Sequence, residues 1–162
     1  MRILAVETSC DETSVAILEA KHTKNDFSWK ILTNVVHSQI SIHEPWRGIV
    51  PNLAKREHTA NLIPVITQAL SGAGVYKPSK KQNKIDPKEK HQIEQLLKKE
   101  EALISPLLDF IANTKKPKID LLAVTNGPGL EPALWVGINF AKVLSKLWKL
   151  PLIPINHMDG HF

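Results

Sequence analysis

Arg2 to Val6 is a run of small and branched apolar residues that breaks at a polar cluster, which predicts a buried strand. Glu7 to Thr13 is polar and tight, and Ser14 to Glu19 resumes with Val15, Ala16, Ile17 and Leu18. Two strands joined by so short a turn pair antiparallel. After a polar connection, Lys21 to Asn25, a third strand is predicted over Trp29 to Val36. Pro45, Trp46 and Gly48 mark Ser41 to Gly48 as loop. From Val50 the period lengthens: Leu53, Ala54, His58, Leu62, Val65, Ile66, Ala69 and Leu70 recur at helical spacing, with Pro51 suited to the first turn. Pro64 is expected to kink this helix, and Ser71 to Gly74 to end it.

Tyr76 to Lys84 has the composition of a mobile linker. Beyond Pro87, Leu96, Leu97, Leu103, Ile104, Leu107, Leu108 and Ile111 outline an amphipathic helical segment packed on the domain edge, one helix or two divided at Pro106. Ile119 to Thr125 is a fourth strand, Pro132 to Trp148 a helix with Leu134, Ile138, Ala141, Leu144 and Leu147 inward, and Leu150 to Ile155 a fifth strand. The expected fold class is α/β: a mixed sheet with helices on both faces, in the order of the ribonuclease-H-like core that also forms the first lobe of actin-like proteins. Residues 1–162 then form one such lobe, with a lysine-rich helical insert at about 77–118.

With 162 residues, 43% hydrophobic, the chain can bury a core. One cysteine, Cys10, excludes an internal disulfide and suits a reducing compartment. The opening apolar run is too short for a signal peptide, and no run approaches the roughly 20 residues of a membrane helix, so a soluble cytoplasmic protein is expected. The net charge of +5 is concentrated at Lys77 to Lys118, as suits a solvated face or nucleic-acid contact.

His157 and His161 carry the sharpest chemical signal. Asn156 is a good helix N-cap, and a helix starting there places both imidazoles on one face, where they can grip a divalent metal. The competing reading is two solvated histidines. In the polar turn after the first strand, Ser9 and its neighbours offer hydroxyl and N–H groups to an anion, while Asp11 and Glu12 can hold a metal or orient water; a plain β-turn is the alternative. Asn126, Gly127 and Gly129, ahead of a helix N-terminus, form a candidate anion cradle or a simple turn. His58 is expected as a packed core histidine and Cys10 as an inert thiol, while His22, His37, His43 and His91 lack partners at ligand spacing.

Four blocks in order, Met1 to Ile17, Gly48 to His58, Ala123 to Leu130 and Pro151 to His161, give the chain its resemblance. It resembles the universal tRNA threonylcarbamoyladenosine transferase family, long called O-sialoglycoprotein endopeptidases. The Ser9-Cys10-Asp11-Glu12-Thr13 form is similar to the bacterial branch. The resemblance implies a two-lobed actin-like enzyme that moves a threonylcarbamoyl group from threonylcarbamoyl-adenylate to the adenosine just after the anticodon of tRNAs reading ANN codons. It implies that His157 and His161 ligate iron or zinc, with an aspartate of a second lobe as third ligand, and that Asp11 contributes to catalysis. It also implies tRNA, a scaffold paralogue docked through the first long helix, and an ATPase subunit as partners.

Asp159 stands where the family usually has Glu, Arg47 replaces a glycine, Asn52 replaces a Glu, and the insert is longer than the family's link. Because the second lobe is absent, the chain alone is expected to be inactive. Two other functions compete with the enzyme lobe. One is a non-catalytic scaffold subunit, against which the retained histidine pair argues. The other is a metalloprotease, which places a Glu directly after its first His, where this chain has Met158.

Overall fold

The computed structural model describes residues 1–23 and 26–161. Five strands make one mixed sheet: β1 (Arg2–Glu7), β2 (Glu12–Thr23), β3 (Asp26–Ser38), β4 (Leu121–Gly127) and β5 (Leu152–Asn156), in the order β3-β2-β1-β4-β5. β1, β2 and β3 form the antiparallel meander, and β4 and β5 join parallel to β1. This is the ribonuclease-H-like mixed sheet that the alternation predicts. Register follows burial: Leu4 and Val6 of β1 sit level with Ile17 and Val15 of β2 and with Leu122 and Val124 of β4, all buried.

Five helices accompany the sheet: α1 (Ile40–His43), α2 (Pro51–Gly72), α3 (Pro87–Leu96), α4 (Glu101–Asn113) and α5 (Glu131–Trp148). α2 packs on β2 and β3, α5 on β4 and β1, and the two helices pack on each other. Leu62 and Ile66 of α2 and Phe140 and Leu144 of α5 share a single core with the buried strand residues. Each large apolar side chain closed off there stabilises the fold by about 1.5–3 kcal/mol.

Helices on both faces were expected, but among the described residues both long helices lie on one. The strand order supplies the reason. β3, β1, β4 and β5 run parallel, and the crossovers β3-α2-β4 and β4-α5-β5 advance in the same direction across the sheet. Right-handed crossovers that advance the same way fall on the same side. The opposite face keeps Ile31, Val36, Ile153 and Ile155 exposed.

Three local expectations change. The supposed loop over Ser41–Gly48 contains the end of α1 and a 3-10 turn, Glu44–Trp46. α2 runs on through Pro64, which lies on its exposed side. The insert is two helices, but they divide at Leu97–Glu100, and Pro106 lies within α4. The expected mobile linker is held down: Ser79 N–H donates to the Asn113 carbonyl, Asn83 N–H to that of Ala112, and the Asn83 amide to those of Ile111 and Thr114. Asn83 thus satisfies carbonyls at the end of α4 that have no helical partner.

Candidate functional site at the carboxyl ends of the parallel strands

β1, β4 and β5 end side by side, and the polar segments that follow them converge there: Thr8 to Asp11, Asn126 to Leu130 and His157 to His161. Ligands of open α/β sheets bind at such carboxyl ends.

The two-histidine segment is a 3-10 helix, His157–His161, and not the α-helix expected from the Asn156 cap. Asn156 belongs to β5, although its side-chain oxygen does accept from the Met158 N–H at 2.9 Å. The tighter winding changes the offset between the rings but still brings them together. Their Nε2 atoms lie 3.0 Å apart, with ring centroids at 4.7 Å.

His157 is aimed by Glu7, the last residue of β1. The imidazole Nδ1–H faces Glu7 Oε2 at 3.3 Å and the Ser9 hydroxyl oxygen at 3.1 Å. A carboxylate can only accept, so this contact puts the proton on Nδ1 and leaves the His157 Nε2 lone pair directed at His161. Glu7 also accepts from the Ser9 N–H and the Thr125 hydroxyl. Burial pushes its carboxyl up, but the hydrogen bonds from Ser9, Thr125 and His157 outweigh burial and hold it below the ordinary carboxylate range. Glu7 is therefore an anion under the histidine.

Close packing fixes the loops. Ser9 is buried, and its carbonyl accepts from Leu130 N–H at 2.7 Å. A Cβ on Gly129 would sit 2.6 Å from that same carbonyl oxygen and 2.8 Å from Ser9 Cβ, so only glycine fits. Nearly two turns into α5, Gly137 leaves room for Thr8: its N–H donates to Thr8 Oγ1 at 3.2 Å, and the Thr8 hydroxyl donates to the Ala133 carbonyl at 2.9 Å.

Beneath Cys10 lies a buried polar chain. His58 Nε2–H donates to the Cys10 carbonyl at 3.1 Å, and His58 Nδ1 accepts from the Thr13 hydroxyl at 2.8 Å and from the Gln39 amide at 3.3 Å. Gln39 Oε1 in turn accepts from His43 Nε2–H at 3.0 Å. His58 is the core histidine expected from its place on α2. His43, to which the spacing gave no role, belongs to the same chain.

Burial, the leading cause, lowers the His58 pKa below its ordinary 6.5. The unfolded chain therefore takes up a proton that the folded chain resists. Stability from this group is complete above pH 6.5 and is lost as pH falls below it. The thermal midpoint is expected to drop between pH 7.5 and 5.5. His58→Leu should flatten that drop while costing about 2 kcal/mol at neutral pH, because the Cys10 carbonyl loses its donor. Thermal unfolding of both proteins across that pH range checks this.

Of the residues singled out from the sequence, Ser9, His157 and His161 meet directly, and Gly129 serves the approach of the loops. Asn126 is exposed, and Gly127 closes β4. Asp11 and Glu12 are half-buried at the start of β2; burial, then the Asp11 charge, raises the Glu12 carboxyl. Burial, then Asp11, also raises the Cys10 thiol, as suits an inert group. The sequence reading missed Glu7, Thr8, Thr125 and Gly137 as site-builders. Glu7 had a signal: it is the first charge after a buried strand.

Among the described residues no group of three or more His, Cys, Asp or Glu side chains is placed to hold a metal ion. The pair nonetheless fits part of one. Two imidazole nitrogens at tetrahedral positions on zinc, with bonds of about 2.0–2.1 Å, stand a little over 3 Å apart, and the pair here is at 3.0 Å. A carboxylate on the far nitrogen of a ligating histidine is the usual second partner. A hollow of about 410 Å³ lies elsewhere, between α2 and the start of α4, and includes Lys55, Thr59, Glu100 and Pro106 in its lining. No predicted site residue reaches it.

A family model described as tRNA N6-adenosine threonylcarbamoyltransferase matches residues 30–80 and 91–162. Curated proteins of that name are similar over 99% of the chain. Those of Anaeromyxobacter sp. (strain Fw109-5), Thermomicrobium roseum and Thermosipho africanus are 37%, 35% and 40% identical, and the match covers 34%, 32% and 34% of each. The chain thus spans about a third of the length of the curated relatives it matches. Among solved structures, YeaZ from Pseudomonas aeruginosa aligns with 96% of this chain and 45% of its own, at 13% identity and a TM-score of 0.48.

Proposed function

Since the chain belongs to the tRNA N6-adenosine threonylcarbamoyltransferase family, we propose that it is the N-terminal lobe of an enzyme that modifies tRNA. The reaction is transfer of a threonylcarbamoyl group from threonylcarbamoyl-adenylate to the exocyclic nitrogen of the adenosine after the anticodon in tRNAs reading ANN codons. The observation that carries the reading is the carboxylate-aimed His157, with His161 3.0 Å away, at the meeting of three strand ends.

In this reading His157 and His161 hold one iron or zinc ion, and an aspartate from the second lobe supplies the third ligand. A bound divalent metal supplies Lewis acidity and a fixed template for the acyl donor. The chain's own residues do the rest. Glu7 keeps the Nδ1 proton of His157 in place. Ser9 joins the strand-end loop to that histidine. The Gly129 approach, with the Leu130 N–H donating to the Ser9 carbonyl, locks the loop ahead of α5 to the strand-end loop. Asp11, half-buried beside this loop, is the candidate for a catalytic contribution, and Ser9, Glu12, Asn126, Gly127 and Gly129 for substrate contact.

tRNA, a scaffold paralogue and an ATPase subunit are the partners of this reading, in the cytoplasm. No helix of the described residues is long and apolar enough to cross a membrane. α2, the expected docking helix for the scaffold, is packed on β2, β3, α5 and α4. A partner therefore meets its remaining exposed side, at Asn52, Arg56, Ala60, Pro64 and Gln68.

The test is tRNA threonylcarbamoylation with this chain alone and with the sequence completed by a second lobe. Transfer is expected only from the completed protein; absence of transfer with both would remove the proposal. Within the completed protein, Glu7→Gln is expected to weaken metal binding about 10–100-fold while both histidines remain. A competition titration with a chelator reads that change.

A further inference from the structure

β2 and β3 stay paired as far as Thr23 and Asp26, while β1 lies beside β2 only to Glu19. Met1 still exchanges hydrogen bonds with Ala20, so Lys21–Thr23 and Asp26–Ser28 project beyond the sheet as a two-stranded ribbon, and such ribbons are marginal alone. β3 is also an edge strand of the sheet. The one irregularity in its pairing lies opposite Ile17 and Leu18, so Asp26 to Ile31 is a regular edge without proline or bulge. Edges of that kind template the addition of another strand.

The side chains along this stretch alternate. Phe27 and Trp29, each 61% exposed, and Ile31, 56% exposed, lie on one face; Asp26, Ser28 and Lys30 lie on the other. We propose that this ribbon is a self-association surface, with β3 of one chain pairing antiparallel to β3 of a second copy about a twofold axis at Ser28.

Self-complementarity selects that register. It sets Asp26 opposite the second copy's Lys30 and Phe27 opposite its Trp29, and twofold symmetry repeats both pairs. Opposite charges and aromatic pairs facing across strands are the stabilising combinations. A slip of one residue would face Phe27 with Lys30 and Asp26 with Ile31. Centring on Lys30 would set two ammonium groups against each other. Lys30 Nζ lies 3.5 Å from Glu19 Oε2, and Arg2 Nε pairs with Oε1 of the same carboxylate, so an added carboxylate meets a cation already held in place. The contact is isologous, uses each edge once and closes at the dimer.

Sedimentation velocity on this chain over a concentration series tests the proposal. A monomer–dimer equilibrium is expected, weakened at least about tenfold by Lys30→Asp, which turns both ion pairs into repulsions. The exchange Asp26→Lys with Lys30→Asp should restore it. Ile153→Lys, on the bare sheet face but far from the ribbon, should leave it unchanged. A chain that stays monomeric, a dimer indifferent to Lys30→Asp, an exchange that fails to restore it, or loss of the dimer on Ile153→Lys would each overturn the proposal.

Discussion

His161→Ala in the completed enzyme is expected to abolish metal retention and to lower tRNA modification by on the order of a thousandfold, about 4 kcal/mol of transition-state stabilisation. His161 is exposed, and among the described residues its side chain hydrogen-bonds only to His157 Nε2, so its loss should leave folding intact. That makes it a cleaner probe than His157→Ala, which would also leave the Glu7 carboxylate without its histidine donor. On the proposed ligand set, loss of His161 leaves a single imidazole and the second lobe's aspartate, fewer than the three protein ligands of a catalytic site. Metal content by elemental analysis, read beside activity and a thermal melt, checks the expectation. Unchanged metal content would take the pair out of the site.

Gly129→Ala is expected to act on stability and chemistry together. Its Cβ would lie 2.6 Å from the Ser9 carbonyl oxygen and 3.1 Å from Ser9 Cα, so backbone, not a flexible side-chain tip, must yield. Overpacking costs about 1–3 kcal/mol in ordinary cores, and a backbone neighbour places this substitution near the upper end. The displaced residue is Ser9, whose N–H donates to Glu7 and whose hydroxyl touches His157, so the shift reaches the histidine pair. A melt lowered relative to the parent, together with activity reduced by about tenfold or more, is expected. A full-activity Gly129→Ala enzyme would show that the loop does not need this approach.

Much of the fold was legible because burial writes a period. Leu4 and Val6, Leu122 and Val124, and the Leu62–Ile66–Leu70 side of α2 announce strands and helix without help. The extent of β2 and β3 was not legible. Their outer halves, from Lys21 to Thr23 and from Asp26 to Trp29, are polar or exposed on both faces, and cross-strand hydrogen bonding alone sustains them. The one-sided arrangement of the helices followed from the direction of the crossovers, which local periodicity does not contain. At the site, the histidine spacing gave the pair but the wrong helix type. Glu7 lay in a polar heptad that offered seven candidates, and only the fold puts its carboxylate under His157. In the Gln39–His43–His58 chain the first pair is four residues apart, but the link to His58 runs from the start of α1 to α2, which no local spacing supplies. The pinned segment around Asn83 looked loose because its partners are carbonyls of α4, about 30 positions downstream.

The insert begins and ends at one place. Lys115 N–H donates to the Lys77 carbonyl at 2.9 Å, and Pro78 and Thr114 bridge just beyond. A segment that leaves and re-enters through a single doorway folds back on the domain without interrupting any strand. What such a change alters is the outside of the α2–α5 pair. Ile93 and Leu97, together with Leu103 and Leu107 of α4, are buried in the common core, so the two-helix hairpin works as a permanently attached cover. Removing it would present an apolar strip to the solution. A chain that carries the hairpin is committed to keeping that strip closed.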